Sequence, residues 1–520
     1  MRKPRRDTSQ PRRTTDRWAA MACLACALMA GCAPGALDRA PQAASEPWSP
    51  QEAGTPGQTG APAPPPASAR DFGIAANPEV TLPPAAPEIA TNRAYDLAGL
   101  IDVAQRNNPA TRIAWQSARQ AALASGMVEA TYLPLITANV IGGYQKFDNP
   151  LPVGLGGINQ IETTTTGISP QIAVQWLIFD FGQRSAAHDS AKHTATAASI
   201  LFNGLHQKII HDVTRAYFVH DAARSRVEIA EQTLRNSRDI LAAAEARVKD
   251  GLGNTVEEAQ ARQQVAQAQF GLVQAQGAER ETYQMLLGAM GVSPLTKMRV
   301  KAANGRALPA NIGAPTERML QAALARRPDV LASLSAMKAS RSGIAAAQAE
   351  FLPKVYLGAI AAGGNSSLSA ANLPNIAQIS SASGVVIGAS VPIFDGGLRA
   401  AQLKTAESLA AASEATFTKV RDEAAREIVI ATETLRSALA SHQAATALVR
   451  AAQTTYDAAF SAYKMGVGNI SVATEADSGL LAARQAEAES HAAALVAAAN
   501  LAFVLGAMTS SDVASGLVRR

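Results

Sequence analysis

The chain has 520 residues, with 47 Lys and Arg against 42 Asp and Glu, and only 5% aromatic residues. The basic excess is local: residues 1–17 hold Arg2, Lys3, Arg5, Arg6, Arg12, Arg13 and Arg17 against Asp7 and Asp16, leaving 40 basic and 40 acidic residues elsewhere. A neutral body removes the electrostatic footing for a nucleic-acid partner. All three cysteines, Cys23, Cys26 and Cys32, lie near the N-terminus, so the rest of the chain has no disulfide framework and no thiolate metal site.

The basic stretch leads into an apolar run, Trp18 to Gly31, and then Cys32. That order is a secretory signal, and the run is too short for a stable membrane span. Leu28-Met29-Ala30-Gly31-Cys32 resembles a bacterial lipoprotein cleavage box, with Met29 where such boxes usually carry Leu. The resemblance implies a signal peptide over residues 1–31 and acylation of Cys32; cleavage by the general signal peptidase a few residues later is the alternative. Residues 32–91 are rich in Pro and Ala, as in Gly60-Ala61-Pro62-Ala63-Pro64-Pro65-Pro66. Such a segment cannot bury enough apolar surface to offset its ordering entropy and reads as a disordered tether.

The body then repeats itself. Asn108-Pro109 and Leu133-Pro134 recur 219 residues later as Arg327-Pro328 and Leu352-Pro353. Phe179-Asp180 and Gly251-Leu252-Gly253-Asn254 recur 215 residues later as Phe394-Asp395 and Gly466-Val467-Gly468-Asn469. Leu287-Gly288-Ala289-Met290 returns as Leu505-Gly506-Ala507-Met508. Landmarks kept in order at nearly fixed spacing mark a tandem duplication, with repeats over 92–293 and 315–508, a linker over 294–314 and a tail over 509–520.

Each repeat opens with a helix that stops near its Leu-Pro step, where proline removes a donor. Alternating segments follow, with Ile172, Val174, Trp176 and Ile178 on one face in the first repeat and Val385, Ile387, Ala389 and Val391 in the second. Their partners fall at about 135–146 and 354–362, and the Gly-, Ser- and Thr-rich stretches 148–166 and 364–383 read as exposed turns. Residues 183–250 and 398–465 contain no proline and one glycine, Gly204. Each predicts a helix on the order of 100 Å long, returning after its glycine tip over about 255–287 and 470–504. Helices this long must lie along neighbours in coiled-coil fashion. Four strands per chain leave open edges, which lipid does not tolerate, so several chains must pool strands to close a barrel.

These landmarks resemble the TolC-type outer membrane efflux proteins over roughly residues 92–508. The resemblance implies a mainly α protein with a membrane β-barrel: a homotrimer whose twelve strands cross the outer-membrane lipid and whose helices continue as a periplasmic tube. It also implies a passive exit duct for small molecules, served by a periplasmic membrane-fusion adaptor and an inner-membrane pump of the resistance–nodulation–division or ABC type. A type I protein secretion duct and a non-pore coiled-coil adaptor are the alternatives.

Candidate residues follow in that light. The tips Gly251, Leu252, Gly253, Gly466, Val467 and Gly468 would dock the adaptor, although a plain helix reversal also needs glycine. Thr255 with Glu258 reads as a capping box behind the first tip. Glu257 and Glu475 would line a periplasmic aperture or simply face solvent, and the family's bridging arginine is replaced by Gly468. Trp176, with Tyr132, Tyr144 and Tyr356, suits an interfacial girdle, although Tyr132 equally suits packing against the barrel–helix junction, and Phe179 and Phe394 suit a plug at that junction. Asp180-Phe181-Gly182 imitates a kinase magnesium motif, but its companion motifs are missing, as are other nucleotide, hydrolase and zinc signatures. The reading is therefore no enzyme, no cofactor and no metal.

Overall fold

Asp96 caps the first helix of the computed structural model, its Oδ1 accepting the Gly99 amide at 3.0 Å. The structure describes residues 77–82, 89–90, 92–155, 158–303, 308–309, 311–369 and 376–509. Cys32, the signal segment, nearly all of the tether and the tail beyond Thr509 lie outside the described residues. Residues 84–520 constitute one unit of the chain, and the described residues before Pro83 belong to another.

Within residues 84–520, β1 (Ala94–Tyr95) precedes α1 (Leu97–Asn107), and Asn108 both ends α1 and caps α2 (Pro109–Ala130). Proline at the first helical position costs no hydrogen bond, so the Asn-Pro step starts a new helix instead of continuing the old one. Strands β2 (Leu135–Leu155) and β3 (Ile158–Phe179) lead into α3 (Gln183–Lys249), and α4 (Thr255–Met290) returns. After β4 (Arg299–Val300) the pattern recurs as α5 (Glu317–Leu324), α6 (Pro328–Ala349), β5 (Lys354–Ser369), β6 (Ile376–Ser390), α7 (Leu398–Lys464) and α8 (Ile470–Val504). The linker is more than a connector, because β4 pairs in parallel with β1. Helices α3 and α7 each run for 67 residues.

The main sheet has the order β2-β3-β5-β6, antiparallel throughout. Leu135 faces Gln175 in the first hairpin and Lys354 faces Ser390 in the second, so the pairing register reproduces the repeat offsets read in the sequence. The strands exceed expectation. Most of 148–166 and 364–383, read as turns, is strand: β2 reaches Leu155 and β3 begins at Ile158, while β5 reaches Ser369 and β6 begins at Ile376. Ladder hydrogen bonds on a long antiparallel hairpin outweigh the weak strand propensity of Gly, Asn and Ser.

One face of this sheet is apolar across all four strands. Ile136 and Ala138 lie opposite Val174 and Ile172, these opposite Ala359 and Ala361, and Ala359 opposite Val385. Trp176, Leu357 and Ile387 form the adjacent row. Ile136, Val140, Ile172, Val385 and Ile387 are all exposed on the protomer. Tyr356 sits on the opposite face, paired with Leu177 and Gly388, and so is separated from the Trp176 row.

A charged staple fixes each strand to its long helix. Arg184 Nε meets Asp180 Oδ2 at 2.8 Å, while its other nitrogens donate to the Thr131 and Ile178 carbonyls at 2.9 and 3.2 Å. Its guanidinium covers the Tyr132 ring at 4.7 Å. In the second repeat Arg399 does the same with Asp395 at 2.6 Å, the Pro392 carbonyl at 2.6 Å and the Phe351 ring at 5.1 Å. The following residue takes positive φ in both copies: Gly396 at 66°, and Phe181 at 54° where a bulky side chain is strained.

The helices pack unevenly. Helix α3 lies along α2, α4, α6 and α8, whereas α7 lies along α6 and α8, with a shorter contact to α5. In consequence α6 buries Val330, Ala332, Ser335, Met337, Ala339 and Ala349, and its repeat equivalent α2 buries nothing. Ile113, Leu123 and Met127 of α2 are exposed instead. Two of the buried clusters matter for position. One joins α1, α3 and α4 through Leu100, Val213, Phe218 and Leu286. The other joins all four long helices near their tips through Ile240, Ala261, Tyr463, Ile470 and Leu480.

Candidate functional site

At the far end of each long helix the chain reverses within a few residues, by the same device twice. Gly251 adopts φ 73°, and the Leu252 and Gly253 amides both donate to the Arg247 carbonyl at 2.8 and 2.9 Å. In the second tip Gly466 adopts φ 77°, and the Val467 and Gly468 amides donate to the Ala462 carbonyl at 3.1 and 3.0 Å. A Cβ on Gly468 would lie 2.8 Å from the Tyr463 amide nitrogen, so the second glycine is required by close backbone approach. Glycine therefore serves two separate needs in each tip.

Asparagine then restarts each helix. Asn254 Oδ1 accepts the Glu257 amide at 2.9 Å, and Asn469 Oδ1 accepts the Ser471 amide at 2.9 Å. This corrects the expected capping box: the cap is Asn254 with Glu257 at the third helical position, not Thr255 with Glu258. Asparagine's short amide reaches the free amides of the first turn, and Thr255 is already helical. The tip side chains are apolar and open to solvent, with Leu252 72%, Met465 72% and Val467 80% exposed.

The two tips are fastened to each other. Arg247 lays its guanidinium over the Tyr463 ring at 5.0 Å, donates to the Tyr463 carbonyl at 3.3 Å, and reaches the Leu252 carbonyl at 3.2 Å. The Tyr463 hydroxyl donates to Glu257 Oε2 at 3.3 Å, and Arg247 Nε lies 3.9 Å from the same oxygen. Burial pushes the Tyr463 phenol up, with the Glu257 carboxylate adding to the effect, so it stays a proton donor. Glu257 thus joins the two helical hairpins, whereas Glu475 is exposed on α8. The structure does not bring these two carboxylates into one cluster within the protomer.

At the other end, Trp176 Nε1 donates to the Tyr132 carbonyl at 2.7 Å, so this girdle candidate also anchors strand to helix. Phe179 packs edge-on against Phe181 at 4.6 Å yet remains 51% exposed, and Phe394 is 89% exposed. Neither aromatic fills a junction inside one protomer. Sequence reasoning passed over Arg184, Arg399, Arg247 and Tyr463. The first two were visible as an Asp with Arg four residues on, recurring at the 215-residue offset; the Arg247–Tyr463 contact crosses between hairpins and leaves no local signal.

Among the described residues, no three His, Cys, Asp or Glu side chains are placed to hold a metal ion, and no helix is long and apolar enough to cross a membrane.

The Tyr463–Glu257 bond is worth about 1 kcal/mol by the usual net value for such a contact. Tyr463→Phe in the full-length protein should therefore speed amide exchange across residues 247–258 by about fivefold. Unchanged exchange there would show that the fastening carries no weight.

Residues 100–292 and 319–507 match the sequence profile of the family described as Outer membrane efflux protein. The chain is 27% identical over 417 residues to Protein CyaE of Bordetella pertussis, covering 78% of this chain and 85% of that protein. It is 23% identical over 392 residues to the cation efflux system protein CusC of Escherichia coli K12, covering 74% and 81%. Among solved structures, CusC superposes with a TM-score of 0.67 at 21% identity, covering 82% of this chain and 98% of that one. The Campylobacter jejuni CmeC outer membrane channel gives a TM-score of 0.68 at 17% identity, covering 81% and 88%. With nearly the whole of both repeats matched, the chain belongs to the outer membrane efflux protein family, the non-enzymatic efflux channels of the Gram-negative outer membrane.

Proposed function

We propose that three copies of this chain close into one duct whose barrel crosses the outer membrane and whose helical tube extends into the periplasm. The observation that carries the reading is a set of contacts made only once per protomer. Strand β3 of the first repeat pairs with β5 of the second, α3 packs on α6, and α3 packs on α8. Because the repeats are equivalent, β6, α7 and β2, α2 and α4 present the complementary halves of the same contacts, unfilled within one chain. A second copy supplies them, and the bare α2 then gains the cover that α6 already has.

The strand count admits two copies or more, and membership of the family of trimeric ducts selects three. Four strands leave two open edges, and bacterial barrels close with even strand numbers of about eight or more. Three copies give twelve, with the exposed apolar face turned to lipid and Trp176 near one rim. Phe179 and Phe394 then meet neighbouring copies at the junction, and the paired tips crowd around the periplasmic mouth, where Glu257 and Glu475 contribute negative charge. Small molecules pass without energy input from the duct itself. The exposed Leu252, Met465 and Val467 suit docking of a periplasmic membrane-fusion adaptor, which couples the duct to an inner-membrane pump. Cys32 supplies the lipid anchor, and the intact mass should lose its acyl increment in Cys32→Ser.

The register makes the assembly testable. The Gln175–Gly358 pairing, carried over by the repeat offsets, places Ser390 opposite Asn139 of the partner subunit. Ser390→Cys with Asn139→Cys should yield disulfide-linked trimers on a non-reducing gel, while either single variant stays monomeric. The purified protein should conduct in a planar bilayer in steps of uniform size. No cross-linking together with no conductance would remove the duct reading. Leu252→Asp with Val467→Asp should preserve conductance and abolish adaptor co-purification; retained co-purification would place docking elsewhere.

A further inference from the structure

Three of the four buried charged residues among those described are explained by ion pairs. Asp180 and Arg184 hold each other, and Arg327 is paired with Asp329 and Glu427, both at 2.6 Å. The fourth, Asp477, has no such partner. It is 1% exposed, seven residues into α8, about 10 Å from the tip at 1.5 Å per residue. Its two oxygens accept only neutral donors from the opposite hairpin, Asn236 Nδ2 at 3.0 Å and Ser237 Oγ at 3.1 Å.

The surroundings are those of a seam. Asp477 belongs to the second hairpin, Asn236 and Ser237 to the first, and the buried cluster of Ile240, Ala473, Ala476 and Leu480 lies directly around them. From α4 the neutral Gln264 approaches, bonded to Ser478 at 3.2 Å. The charged and titratable groups acting on the cluster are Asp239 of α3, Tyr456 and Asp457 of α7, and Arg484 of α8. Arg484 donates to Gln453 at 2.7 Å and forms no ion pair with Asp477. An ionised carboxylate in this position is held by neutral donors, with the Arg484 charge acting only without direct contact, while a carboxylic acid can accept from Asn236 and donate to Ser237 with no charge to desolvate.

We propose that Asp477 is a proton-operated clasp between the two helical hairpins, tightening the α3–α8 seam when its carboxyl is protonated and loosening it when ionised. Any widening of the tips must part or slide this seam, so the clasp biases the closed arrangement in acid. Burial pushes the Asp477 carboxyl up from the ordinary carboxylate range, against the pull of Asn236, Ser237, Gln264 and Arg484. The sign follows from linkage. The closed seam holds the proton more tightly than a separated one, so its added stability is complete below the ordinary aspartate value of about 3.9 and is lost as pH rises through the raised value.

Hydrogen–deuterium exchange of the full-length protein in detergent tests this, with protection corrected for the pH dependence of intrinsic exchange. Protection over residues 233–240 and 473–480 should fall as pH rises from about 3 to about 8, by about tenfold for each unit by which the closed seam raises the proton affinity of Asp477. Asp477→Asn should hold both segments at the protected level at every pH. Flat protection in the unaltered chain, or the same pH slope in Asp477→Asn, would overturn the clasp. If Asp477→Asn fails to fold, Arg484→Gln carries the test: it removes a positive charge that favours only the ionised form and should move the midpoint to higher pH, and an unmoved midpoint would overturn the proposal. The readout is the seam itself, so a chain that failed to conduct would contradict the duct and leave the clasp standing.

Discussion

Two rows of unpaired backbone groups, along the outer edges of β2 and β6, set the terms for everything else in this chain. An exposed sheet edge attracts other strands in water and is intolerable in hydrocarbon. Among the described residues, neither edge is covered along its length by a helix of the same protomer. The apolar face running from Ile136 through Ile172 and Ala359 to Val385 makes the demand stricter, since that face needs lipid and lipid needs a closed ladder. Closure has to come from outside the chain.

The duplication answers this demand economically. A unit of one strand hairpin and one long helical hairpin makes the same lateral contacts on each side, so the contact seen between repeats in one chain is a template for the contact between chains. The Asp180–Arg184 and Asp395–Arg399 staples hold each strand pair at a fixed angle to its long helix. Strand pairing and helix packing therefore propagate together around a ring. The tips are fastened differently. There Arg247, Tyr463 and Glu257 join two hairpins of one chain with a cation over a ring and a few long hydrogen bonds, and Asp477 adds a buried acid to the same seam. Packing at the barrel end is fixed by paired charges, whereas the tip end depends on contacts that the loss of a proton or a small displacement can weaken.

Much of this was legible in the sequence because the landmarks are residues whose backbone roles have few substitutes. Pro109 and Pro328 start helices, Gly251 and Gly466 take positive φ, and Gly468 permits an approach no side chain allows. Such positions keep their spacing, and the offsets of 219 and 215 reappear in the strand register. Side-chain composition was a poorer guide. The Thr- and Ser-rich halves of the strands looked like turns, yet they pair because a long hairpin supplies a partner for every amide. Asn254 was passed over as the cap in favour of Thr255, since both suit the role and only the helix phase decides. Asp477, Arg247 and Tyr463 act across helices more than 200 residues apart in sequence, and nothing local marks them.

The account stands or falls on the number of chains in the closed particle. Native mass spectrometry of the full-length protein released from detergent measures it directly. Three chains per particle, at every concentration above the weakest detectable signal, is the result that a twelve-stranded barrel requires. A stable monomer would contradict it and would mean that the edges of β2 and β6 are satisfied in some other way, and a dimer would contradict it by closing those edges with eight strands.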